Sequence, residues 1–102
     1  MADIRPGGFD YSRNNKRWRH LRQQILRRDG YRCQEAARFG RNVEADVVHH
    51  IWPAEDFPEY AYSAWNLISL SQAAHNAMHD RDTGQLTAQG ERWRRRTNPP
   101  TP

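Results

Sequence analysis

The chain has 102 residues, 36% apolar and 27% charged, with mean hydropathy −1.12 and net charge +4, which allows one small domain with a thin core. It contains no run of about 18 apolar residues, so no membrane-spanning helix is expected, and its single cysteine, Cys33, excludes an internal disulfide or a thiolate zinc cage. The first fifteen residues, MADIRPGGFDYSRNN, carry no apolar segment of the secretory kind, so a cytoplasmic protein is expected.

Residues 1–14 read as a flexible basic arm, because Pro6, Gly7 and Gly8 break regular structure and no apolar period is visible. Residues 15–29 read as an amphipathic helix. Trp18, Leu21 and Ile25 fall on one stripe with Leu26 beside them, Asn14 or Asn15 can cap the start, and Gly30 can end it. Arg17, Arg19, Arg22, Arg27 and Arg28 lie mostly off that stripe as a basic face, and His20 reads as a surface histidine. Tyr31–Gln34 suggests a short strand, residues 35–42 an irregular link, and residues 43–51 a strand carried by Val43, Val47, Val48 and Ile51. A loop over 52–65 holds Trp52, Phe57, Tyr60, Tyr62 and Trp65, and a second strand covers Leu67–Leu70. Ser71 then opens a helix, QAAHNAMHDR, favoured by its alanines. Gly84 ends it or the turn behind it, Thr87 caps a last helix through about Arg95, and residues 97–102 form a Pro-rich, disordered tail.

Charge is distributed unevenly along this order. Residues 1–41 carry 11 basic and 4 acidic residues, residues 42–90 carry 1 and 7, and residues 91–102 carry 4 and 1. Of the 16 basic residues 15 are arginine, whose planar fork donates paired hydrogen bonds to phosphate. The pattern suits a polyanion as readily as it suits a solvated basic surface.

Four of the five histidines lie between positions 49 and 79. His75 and His79 stand at i, i+4 on the expected helix, so their rings share a face. Taken alone, such a pair is equally well two ordinary helix-surface histidines. His49 and His50 are neighbours on a strand and should point to opposite faces. One can then be a ligand while the other is free to act as a base. Three neutral histidines with an open position are the pattern of a catalytic metal site.

The segments ADVVHHIWP, WNLISL and AHNAMHDR together resemble the HNH (ββα-metal) nuclease motif, and the chain resembles small phage and prophage HNH nicking endonucleases, with a His-His variant as in colicin-type nuclease domains. The resemblance implies an α+β single domain over 15–96, its core motif at 43–82, with a basic N-terminal helix and a short C-terminal helix. It implies a metal-dependent DNA endonuclease, nicking one strand, with His50 as general base, Asn66 tying down the loop that orients it, and His49, His75 and His79 as metal ligands. The remaining readings are a non-catalytic nucleic-acid-binding domain and a metal-stabilised protein-interaction domain.

Many relatives carry two CxxC pairs for a structural zinc. Here Ala36, Ser71 and Ala74 stand beside Cys33 in that pattern, so no structural zinc is expected and Cys33 reads as a core residue. The aromatic residues of the intervening loop are expected to replace the lost packing. One catalytic ion is expected, and three uncharged imidazoles favour Mn, Zn, Ni or Co over Mg. Double-stranded DNA is the expected partner, gripped by the basic helix with Arg81 and Arg94, with no membrane role and a monomer or weak dimer as the oligomeric state. Asp46 shares a strand face with His50 and is a candidate to orient its ring.

Overall fold

The computed structural model describes residues 9–100, so the first eight residues of the expected arm and the last two of the expected tail lie outside it. The first helix, α1 (Lys16–Arg28), begins where Asn15 accepts a hydrogen bond from the Trp18 amide at 3.0 Å. It ends with the Gly30 amide bonded to the Arg27 carbonyl and the Tyr31 amide to the Leu26 carbonyl, with Gly30 in the left-handed region at φ +63°. Trp18, Ile25 and Leu26 are buried and His20 is exposed, as the helical period predicts.

Two expectations fail next. Tyr31–Gln34 is not a strand: only Arg32 pairs, in an isolated bridge with Glu44. Residues 35–42 are not wholly irregular, because Gln34–Arg38 forms a short helix, α2. Its residues, QEAAR, favour helix, but five positions are too few to display a period. The carboxylate of Glu35 is largely buried and accepts from the Trp93 indole at 2.8 Å, which secures α2 to the C-terminal helix.

The sheet has two antiparallel strands, β1 (Val47–His50) and β2 (Leu67–Leu70), with His49 opposite Ile68 and His50 opposite Leu67. The first strand is shorter than expected because Glu44 bridges Arg32 instead, with the Cys33 amide bonded to the Val43 carbonyl and the Ala45 amide to the Tyr31 carbonyl. Alternation along both strands builds two small cores. On one face Val48 and Leu67 pack with Trp18, Ile25 and Leu26 of α1. On the other, Ile68 and Leu70 pack with Cys33, Ala36, Ile51 and Met78. Cys33 is therefore a core side chain, as expected.

The helix after β2 is the largest departure. Ser71 caps α3 through the Ala74 amide at 3.2 Å, but α3 spans only Gln72–Asn76 and not 72–81. Met78 turns completely into the core, and its carbonyl accepts from the Thr87 amide. His79 then pairs with Leu86 in an isolated bridge. Burying Met78 and pairing His79 outweigh the helix preference of the alanines. Thr87 caps the last helix, α4 (Ala88–Arg96), through the Gly90 amide. A Cβ on Gly90 would lie 2.6 Å from the Met78 carbonyl oxygen, so glycine is what lets α4 approach this turn.

Residues 9–14 of the expected arm pack on the domain. Phe9 sits against Trp18 and Tyr62, and Asn15 anchors the segment by donating to the Asp10 carbonyl. At the other end, the Thr97 carbonyl accepts from the Trp52 indole.

Candidate metal centre and active site

Strand alternation sends His49 and His50 to opposite faces of the sheet. His49 is 2% exposed, and its Nε2 has no hydrogen-bond partner among the described residues. A buried, unpartnered imidazole nitrogen is costly unless something occupies its lone pair or takes its proton. His75 on α3 and His79 beyond it are its neighbours. Ring centroids lie 5.4 Å from His49 to each and 6.1 Å between the two. One nitrogen from each residue falls within 4.8 Å of the other two, close enough to share one cation.

His75 and His79 converge although α3 ends at Asn76. The continuous helix expected for them is replaced by a capped turn. The bridge to Leu86 brings the His79 ring back toward His49.

The electrostatics suit a cation. Burial holds His49 well below the ordinary imidazole range, with further lowering from His75, His79 and His50. Burial and then His79 lower His75. These rings therefore stay neutral near pH 7, as ligation requires. The donor set is all nitrogen, uncharged and three in number, so it fits a divalent ion with open positions.

His50 lies against α1. Its ring stacks on Trp18 with centroids 5.1 Å apart at 18°, and Phe9 meets it edge-on at 5.0 Å. Its Nε2 is 2.9 Å from the Ala61 carbonyl oxygen, and its Nδ1 is 2.9 Å from the Tyr11 hydroxyl. A carbonyl only accepts, so Nε2 carries the hydrogen and Nδ1 presents the lone pair. Burial lowers the His50 pKa against the opposing effect of the Ala61 bond, with a smaller lowering from His75. The Tyr11 hydroxyl is pushed up to about 12, by burial first and then by Glu55, so it donates.

Asn66 is fully buried, and its amide spans the loop between the strands. Its Oδ1 accepts from the Trp52 amide, and its Nδ2 donates to the carbonyls of Trp52 at 3.0 Å and Tyr60 at 3.1 Å. Tyr60 directly precedes Ala61, whose carbonyl holds His50. The loop also packs through aromatic contacts: Trp52 on Phe57 at 5.0 Å and Tyr60 on Trp65 at 4.9 Å.

The other residues singled out in the sequence are placed unequally. Asp46 does not orient His50. Its side chain is exposed and its carbonyl accepts from Arg22, while Tyr11 and Ala61 take both ring nitrogens. Arg28 stays exposed but is tied to the protein. It grips Asp29 and donates to the carbonyls of Ala64 and Leu67, joining the end of α1 to the start of β2. Arg17 lies 3.9 Å over the Tyr62 ring, and Arg94 lies 4.4 Å over Trp52. Arg19, Arg27 and Arg81 are exposed and make no ion pair among the described residues. One open cleft is lined by Tyr11, Arg19, His49, His50, His75, His79 and Arg94. Tyr11 and the Ala61 carbonyl were not found in the sequence. A backbone carbonyl has no residue-type signature, and Tyr11 lies in a stretch without apolar period. Its spacing of two from Phe9 was the available signal.

No protein-family model and no curated protein matches the chain. Among solved structures it is similar to an HNH endonuclease of the deep-sea thermophilic bacteriophage GVE2, crystallised with a manganese ion. The two are 32% identical over 62% of this chain and 68% of the phage protein, with a TM-score of 0.60.

Proposed function

Because the chain belongs to the HNH endonuclease family, we propose that it is a metal-dependent DNA endonuclease in which the two faces of the small sheet divide the chemistry. The observation that carries this reading is the pair of adjacent histidines. His49 carries an unpartnered nitrogen and shares a cluster of close ring nitrogens with His75 and His79, while His50 is held through Nε2 by the Ala61 carbonyl and presents its Nδ1 lone pair to the Tyr11 hydroxyl.

His49, His75 and His79 would hold one divalent ion. Bound there, it supplies Lewis-acid stabilisation of the charge that develops on the phosphate and on the leaving oxygen. Neutral His50 accepts a proton from water at Nδ1 as the oxygen attacks phosphorus. The Ala61 carbonyl steadies the Nε2–H of the imidazolium that results. The bond to the 3′ oxygen breaks, that oxygen takes a proton from solvent water, and the products are a 5′-phosphate and a 3′-hydroxyl. Asn66 supports this step by fixing the loop that carries Ala61. Of the arginines singled out in the sequence, Arg19, Arg27 and Arg81 are exposed without an ion pair among the described residues and are available to phosphate, with Arg94, which lies 4.0 Å from Glu91, and Arg17 beside them. Such contacts supply affinity and salt sensitivity without sequence choice. One such site cuts one strand, so a monomer nicks.

Supercoiled plasmid incubated with Mn²⁺ tests the reading. Open circles should form, disappear with chelator, and disappear in His50→Ala. Linear product at early times would argue for paired sites. Replacing Mn²⁺ by Zn²⁺, Ni²⁺, Co²⁺ or Mg²⁺ probes the ligand set, and strong activity in Mg²⁺ alone would contradict three histidine ligands. Rising salt should weaken DNA binding steeply.

A further inference from the structure

We propose that Tyr11 is a resting-state cover on the base: its hydroxyl occupies the position beside His50 Nδ1 that the attacking water must take. The inference rests on the reading of His50 as the base. Nε2 of His50 is already bonded to the Ala61 carbonyl, so Nδ1 is the lone pair left for catalysis. That lone pair receives the Tyr11 hydroxyl at 2.9 Å, an ordinary hydrogen-bond length and the distance at which a water would sit.

The surrounding contacts define the cover. Phe9 and Tyr11 meet edge-on at 4.7 Å, and both lie against Trp18, on which the His50 ring stacks. Ser12 and Asn15 shape the segment, Ser12 donating its amide to the Asp10 carboxylate and Asn15 its side chain to the Asp10 carbonyl. Phe9 is the apolar anchor, partly buried against the core. Tyr11 is 57% exposed, so most of its surface leaves no core contact behind if the side chain swings out. His50 is only 5% exposed, and the phenol stands on its lone pair. Swinging Tyr11 outward gives up its edge contacts to Phe9 and Trp18 and exposes Nδ1, while the Phe9–Trp18 contact, the His50 stack on Trp18 and the Ala61 bond remain. Tyr11 also lines the cleft that holds His49, His75 and His79, so DNA entering the cleft meets it.

Tyr11→Phe keeps the aromatic contacts and removes the hydroxyl. A neutral hydrogen bond of ordinary net strength biases such a competition about fivefold. Two readouts are taken together, after thermal melting shows the variant folded. The first is the rate at which diethyl pyrocarbonate modifies His50 in the metal-free protein, mapped by mass spectrometry. The second is plasmid nicking in Mn²⁺. The cover predicts that both rise about fivefold. Unchanged or slower modification of His50 overturns it. Faster modification with slower nicking also overturns it, by showing that the hydroxyl takes part in the proton transfer. If the wild-type protein does not cleave DNA, the nuclease reading fails on its own, and the modification rate alone decides whether Tyr11 covers Nδ1.

Discussion

The two faces of the β1–β2 sheet make an instructive pair. On the α3 face, His49 ends in an orphaned nitrogen, and its neighbours are two more imidazoles. On the α1 face, His50 has both nitrogens bonded and its ring stacked on Trp18. Residues adjacent in sequence and alike in chemistry thus differ entirely in surroundings. The His49 face leaves a nitrogen unpartnered among the described residues, which suits the proposed cation, whereas the His50 face is complete as protein and, on the proposed mechanism, must be opened to work. Identity of side chain sets what a group can do, and the partners of its ring nitrogens decide which of those things it does.

The largest expected effect comes from separating the faces by mutation. His50→Ala should slow plasmid cleavage about 10²–10⁴-fold, the range of general-base catalysis, with Mn²⁺ affinity unchanged by calorimetry. His49→Ala should lose cleavage and metal binding together. Equal loss of metal affinity in both variants would erase the division between the faces.

Asn66→Ala follows. It leaves the Trp52 amide and the Tyr60 carbonyl without their buried partner, which should cost about 1–3 kcal/mol in urea unfolding. Its effect on cleavage should appear in kcat and spare metal affinity, because the loop reaches the site through Ala61 and His50. Gly90→Ala acts on the opposite face. The added methyl presses the Met78 carbonyl and the Leu86 side chain, costing about 1–3 kcal/mol, and should weaken metal binding through His79. A loss of metal affinity in Asn66→Ala as large as in Gly90→Ala would contradict the separation.

The smallest effect is that of pH on the metal-free protein. Folding lowers the pKa values of His49, His50 and His75 from 6.5. Well above 6.5 the rings are neutral in both folded and unfolded chains, and their stability contribution is intact. As pH falls through the unfolded value, the unfolded chain binds protons first and stability drops. The urea midpoint should therefore be lower at pH 5.5 than at pH 7.5. Bound metal should raise the midpoint at pH 7.5 and lose that advantage in acid, because protons compete for the same nitrogens.

Much of this was legible in the chain itself. The stripe Trp18, Leu21, Ile25 placed α1 and Gly30 bounded its end, while the structure chose Asn15 over Asn14 as its cap. The period of two separated His49 from His50, and the order of the histidines with Asn66 pointed to an HNH nuclease. These are local signals, since the spacing of side chains along a helix or strand decides their faces before any packing occurs. Tertiary structure decided the rest. It ended α3 at Asn76 by burying Met78, and brought His79 back through Leu86. It drew Arg28 from the basic face into the joint between α1 and β2, and set the Ala61 carbonyl and the Tyr11 hydroxyl on the two nitrogens of His50. Each of these joins residues far apart in sequence or uses a backbone group that every residue carries. Their energies exist only once the chain has closed, which is why spacing and composition could not report them.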